Sequence, residues 1–178
     1  AGKELFDYIL SDPRWYIKTI GLQLVGETFA VALFKMLSET AKDELLRYGC
    51  KMILRDEARH MGFGMLSLPE QVKEMDAQER QEMEEFTIHF LRATLTGGFP
   101  KEAYLDMGFN KAEIKQIRDL RKEKAQSADF SMFRSLFKKE MHTTLVNNLH
   151  KCGVLSESMK VNLEQELRVN VNEVLAAD

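Results

Sequence analysis

The apolar residues of this chain recur at intervals of three and four, and alternation at period two is hard to find, so the pattern predicts an all-α protein. A first long helix is expected from "SDPRW" to about Ser38, with Asp12 as its cap and Pro13 at its first position. A short break at "SETAKD" follows. The second helix is expected from about Asp43 to Leu66, and Pro69 then ends or restarts the chain. Asp76 and Glu79 in "MDAQER" form a capping-box pattern that opens a third helix, with Gly97-Gly98 as its stop signal. "FPKEAYLDMGF" reads as a short helix with turns. Asn110 and Glu113 form a second capping-box pattern at the head of "KAEIKQIRDLRKEKA". Another helix covers roughly Phe130 to Lys151, stopped by Gly153, and Ser156 caps a last helix over 157–168. No repeat, linker or low-complexity segment interrupts the series, so a single helical domain over residues 1–178 is expected.

Composition changes this picture little. A chain of 178 residues can bury a sizeable core, and 44% hydrophobic with 30% charged residues is ordinary for a globular protein. The net charge of −3 offers no basic excess for phosphates, so no nucleic-acid partner is expected. The one basic stretch, "IRDLRKEKA", interleaves acids with its bases, as a solvated helix face does. No unbroken apolar run reaches the roughly 18 residues of a membrane span, and no signal peptide is visible. Cys50 and Cys152 form no disulfide framework, which fits a reducing cytoplasm. The chain begins at Ala1 rather than Met, which fits either a processed start or the later part of a longer protein.

The informative residue is Glu27. It is the only charged residue in the sixteen-residue stretch 19–34, "TIGLQLVGETFAVALF". A helix this apolar is expected to be mostly buried, and an ionised carboxylate there needs a partner or a shifted pKa. Glu27 and Glu57 are thirty positions apart, and their midpoint, Lys42, falls in the break between the first two long helices. Positions equidistant from the turn of an antiparallel hairpin sit at one height, so these two carboxylates should meet. His60 lies three positions beyond Glu57 and shares its helix face. Two carboxylates and an imidazole without thiolates suit iron or manganese. A plainer account remains open: an ExxH on a solvated face, with Glu27 paired to Arg55 or Arg59. Asp56 has two readings as well, a carboxylate that hydrogen-bonds and orients a metal-bound histidine of a neighbouring helix pair, or a surface acid near Arg59.

Other candidates carry less. His89, four positions after Glu85, reads as part of a solvated face. His142 and His150, eight apart, fit buried hydrogen-bonded side chains better than ligands. Cys50 reads as a small buried hydrophobe, Trp15 and Tyr16 as packing, and the ten methionines as core filler.

"GETFAVALFKMLSE" followed by "LRDEARHMGFG" resembles the second half of a ferritin-like di-iron carboxylate protein, in the oxygenase branch that includes p-aminobenzoate N-oxygenase. The ribonucleotide reductase small subunit and the bacterial multicomponent monooxygenases are more distant likenesses. The local resemblance spans roughly residues 20–66, and "LHKCGVLSESM" is similar to the tail segment of such proteins. It implies a ferritin-like bundle in which each helix pair supplies one Glu and one ExxH. Glu27 then matches the single Glu, Glu57 and His60 match the ExxH, and Asp56 matches the acid before it. No second ExxH occurs in the chain, so half of a centre is present. The other half is expected from a second copy, in a homodimer, or from an amino-terminal half outside this sequence. Ile53 stands where the oxygenase branch often has a further histidine. The function implied is O2 activation at a di-iron centre, manganese being the alternative metal, to oxidise a small organic substrate, with room for an electron donor. The residues near Leu24, Val31 and Phe34 are the expected walls of a substrate pocket. Metal binding without catalysis, as in ferroxidase or storage proteins, and a purely structural bundle are the other readings.

Overall fold

The computed structural model describes residues 2–95 and 100–177. It is an all-α helical bundle, with no strand among the described residues. Among the described residues ten α-helices follow one another: α1 (Gly2–Ser11), α2 (Trp15–Lys18), α3 (Glu27–Thr40), α4 (Glu44–Glu74), α5 (Ala77–Leu95), α6 (Lys101–Asp106), α7 (Lys111–Lys124), α8 (Ala128–Lys151), α9 (Glu157–Leu167) and α10 (Val171–Ala176). A π-helical stretch, Thr19–Gly26, joins α2 to α3 without a break, so Trp15–Thr40 is one helix of 26 residues. By length and composition that helix could also cross a membrane. In the bundle it is the central element: α3 lies between α4 and α8, and the π-helical stretch touches α4, α5 and α8.

Most of the expected ends are built as the side chains dictate. Asp76 accepts from the Glu79 amide at 2.9 Å while Glu79 accepts from the Asp76 amide at 3.0 Å, the reciprocal pair that satisfies two unpaired donors at the head of α5. Asn110 and Glu113 do the same for α7, and Ser156 caps α9 through the Met159 amide at 3.1 Å. Gly153 follows α8 at φ +72°, a conformation in which a Cβ would be strained. The stop expected at Gly97-Gly98 lies outside the described residues.

Three expectations need correction. Asp12 does not cap the first long helix: its carboxylate is held by Arg14, at 2.9 Å from the backbone N–H and 2.6 Å from the guanidinium, and the helix begins at Trp15. The arginine two positions on outcompetes the helix amides because its pairing is charge-assisted. Pro69 neither ends nor restarts α4, which runs on to Glu74. Proline gives up one ladder hydrogen bond, but Leu68 and Val72 on either side of it are buried in the core and hold the helix through. Finally, α1 and α10 are short helices that the sequence pattern did not separate from their surroundings.

The core is continuous. Ile17, Ile20 and Leu24 of the central helix, Met83 and Leu91 of α5, Met141, Leu145 and Leu149 of α8, and Met159 and Leu163 of α9 are all sealed from solvent. Polar ties cross this packing: Lys35 Nζ to Glu140 at 2.7 Å between α3 and α8, and Arg92 to Glu166 between α5 and α9. The outer side of α4 is different. Leu45, Leu46, Tyr48, Ile53, Phe63 and Leu66 are exposed along it.

Candidate metal centre

The α3–α4 hairpin turns at Ala41–Asp43, where Asp43 caps α4 by accepting from the Leu46 amide at 2.7 Å. Lys42 is in that turn, and Glu27 and Glu57 face each other across the seam at equal distance from it. Glu27, Glu57 and His60 each offer a ligand atom within 4.8 Å of the other two. His60 Nδ1 lies 3.2 Å from Glu57 Oε2 and 3.5 Å from Glu27 Oε1.

The backbone before Glu27 is unusual. Its N–H reaches back to the Leu22 carbonyl, five positions away, so the turn leading into Glu27 is wider than an α turn. Within the π-helical stretch, Gly26 has its Cα side against the Gly21 carbonyl, where a Cβ would approach to 3.2 Å. The widened turn sets the phase at which Glu27 leaves the helix. Nothing in the hydrophobic pattern signals it; the two glycines are the only trace.

Burial is less complete than the sequence suggests. The Glu27 and Glu57 side chains are 21% and 17% exposed, and His60 is 60% exposed. The cluster therefore sits at the rim of the seam, with His60 open to solvent, not inside a sealed core. Leu24 is wholly buried, while Val31 and Phe34 are half-buried. The cavity of about 690 Å³ between α1 and α5 and the one of about 700 Å³ between α8 and α10 are lined by other residues.

Electrostatics follow from this crowding. Glu27 is pushed up to about 7, first by burial, then by its hydrogen bond with Glu57 and the neighbouring negative charge, with His60 acting in the opposite direction. Glu57 is held below its ordinary value by the hydrogen bond it accepts from Glu27, against its own burial. The pair thus shares a proton near neutral pH, the expected behaviour of two carboxylates at one site.

The remaining candidates separate clearly. Asp56 is turned to solvent and pairs with Arg59 at 3.0 Å rather than with a histidine. Among the described residues no arginine pairs with Glu27; the side chains nearest it at the seam are Glu57 and the His60 ring. His89 is exposed beside Glu85 on the wall of the α1–α5 cavity, and His150 is exposed. His142 is buried and its pKa is lowered by that burial and by Lys138. Cys50 is buried and is not one of the converging ligands. Cys152 packs its Sγ 3.3 Å from Met65 Sδ, and burial pushes its thiol up to about 11.

Sequence reasoning missed one neighbour. Gln23, one turn before Glu27, has a buried Oε1 with no hydrogen-bond partner. It lies against Gly64, where a Cβ would come within 3.1 Å of the Gln23 Cβ. The signal was available, since Gln23 is a polar residue amid the apolar run and Gly64 is one turn beyond His60.

Comparison with family models, curated proteins and solved structures finds no match to this chain.

Proposed function

We propose that the α3–α4 hairpin carries half of a di-iron carboxylate centre, and that the protein is an oxidoreductase or oxygenase that uses O2 to oxidise a small organic substrate. The observation that carries this reading is the convergence of Glu27, Glu57 and His60, residues distant in sequence, onto one point of the hairpin seam. The donor set fits the metal: two hard carboxylates and an imidazole suit iron, with manganese next. Two carboxylates forced so close that one retains its proton near pH 7 form a site that a divalent cation would relieve.

Within that reading the residues have definite tasks. Glu27 and Glu57 would bind through oxygen, Glu27 losing its proton as it does so, and His60 would bind through the ring nitrogen that already faces them. Iron bound there would supply the capacity to activate O2; the protein's part is to hold ligand geometry and limit access of water. Three ligands leave the centre half built, so a further Glu and ExxH must come from another helix pair, and an electron donor completes the cycle.

A second reading has its own support. The open position of His60 and the packing of Leu24 into the core favour iron or manganese binding without an organic substrate, as in a ferroxidase. Anaerobic ferrous titration followed by exposure to O2, with and without a reductant and candidate aromatic amines, separates the two. Product formation supports the oxygenase. Iron oxidation alone supports the ferroxidase, and absence of binding removes both.

A further inference from the structure

The outer side of α4 carries a pattern beyond the metal ligands. Leu45, Tyr48, Phe63 and Leu66 are exposed there, Leu45 and Leu66 at 79% and 83%, and Met52 and Arg59 fall between them on the same stripe. Large apolar side chains exposed at both ends of one helix face, with charged residues between them, suit a partner of matching pattern. The stripe spans about 32 Å of helix. Its spacing reads the same in both directions: 45, 48, 52, 59, 63, 66, with steps of three, four, seven, four and three.

We infer that this face is an interface between two copies of the chain, their α4 helices packed antiparallel about a two-fold axis between Arg55 and Asp56. Reversal about that point sets Leu45 on the partner's Leu66 and Tyr48 on the partner's Phe63, apolar on apolar at both ends. It sets Met52 against the aliphatic stem of the partner's Arg59. At the centre Arg55 meets the partner's Asp56, and symmetry makes that contact twice. Such a surface is self-complementary, as an isologous contact requires. Parallel pairing in register would instead set Arg55, Asp56 and Arg59 each on its own copy, so charge selects the antiparallel form.

The interface stands on the exposed stripe alone, whether or not metal is bound. It nevertheless has a consequence for the centre. Glu57 lies one to two positions from the axis, so the two copies' Glu57 residues come within about 5 Å of the same level along the helices. Leu46 and Ile53, exposed two and one steps of seven from the His60 position on the same helix, widen the apolar face to that side of α4. The dimer would thus set the two copies' Glu57 residues, and the Glu27 residues level with them, near one height, while their His60 residues stand about 13 Å apart along the helices.

Molar mass in solution, measured by light scattering over a dilution series on the full chain, tests this. The expected result is twice the 20.6 kDa chain mass at the higher concentrations. Phe63→Glu should raise the dimer dissociation constant about thirtyfold or more, with helicity by circular dichroism unchanged because the side chain is exposed. Register is read by the double variant Tyr48→Cys/Phe63→Cys, which should form a covalent dimer on oxidation, whereas Tyr48→Cys alone should not. A chain that stays monomeric at every concentration overturns the inference and leaves the face to another segment or partner. A dimer that survives Phe63→Glu, or that fails to cross-link at the 48/63 pair, overturns the interface. Metal content of the same samples reports separately on the proposed centre.

Discussion

Two sides of the same hairpin face opposite conditions. Toward α5, α8 and α9, large apolar side chains such as Leu24, Met141, Leu145 and Met159 are closed off from water. Toward the outside of α4, Leu45, Phe63 and Leu66 are of similar size and chemistry, yet stand in solvent. Glu27, Glu57 and His60 lie at the boundary between them. The buried side explains why the bundle folds, and the open side leaves room for the further ligands that the proposed centre requires.

The largest expected effect breaks this comparison most easily. Leu145→Ala should cost about 2–5 kcal/mol in urea unfolding, because it leaves a cavity in a closed core. In dilute solution Leu66→Ala should stay within about 0.5 kcal/mol of the parent. Equal costs would mean that the outer face is already covered in the single chain.

Next comes the Asp12–Arg14 pair, the anchor at the head of the central helix. Hydrogen bonds from Arg14 hold the buried Asp12 carboxyl at about 2, against the raising effect of burial. A folded-state pKa below the unfolded 3.8 contributes stability at neutral pH that is lost as pH falls from about 4 toward 2. Asp12→Asn should therefore cost about 1–3 kcal/mol at pH 7, and much less near pH 2, by unfolding curves at both values.

Glu27 has the opposite sign. Its folded pKa is raised from 4.5 to about 7, so in the metal-free protein it costs nothing well below pH 4.5. The cost grows as pH rises through that window and is complete above about 7. Glu27→Gln should stabilise the metal-free chain by about 1–2 kcal/mol at pH 8, and by little at pH 4. A destabilised variant at pH 8 would show that Glu27 is a structural ion-pair partner instead. The smallest change belongs to the exposed Asp56–Arg59 pair: Asp56→Asn should move unfolding by less than about 0.5 kcal/mol.

The fold was legible wherever side chains write local rules. The capping boxes at Asp76 and Asn110, the Ser156 cap and the Gly153 stop are each decided within four residues, and each is present. The height match of Glu27 and Glu57 was also readable, because helix rise and a short turn leave little freedom. What could not be read depends on contacts distant in sequence or on backbone phase. Pro69 stays helical because Leu68 and Val72 are held by the core. Asp12 leaves its capping role because Arg14, itself tied to Glu82 at 2.5 Å, claims it. The widened turn before Glu27 changes where that side chain points without altering the apolar pattern. Burial of the centre was overestimated because an apolar helix need not be covered on every side, and Leu33 on α3 is exposed like its neighbours on α4.

Anaerobic ferrous ion binding by equilibrium dialysis, on the parent chain and on Glu27→Gln and His60→Ala, tests whether the three side chains hold a metal. Stoichiometric binding by the parent is expected, with a loss of about tenfold or more in affinity in each variant. A parent that binds no iron, or variants that bind it as the parent does, would contradict the assignment of Glu27, Glu57 and His60 as ligands.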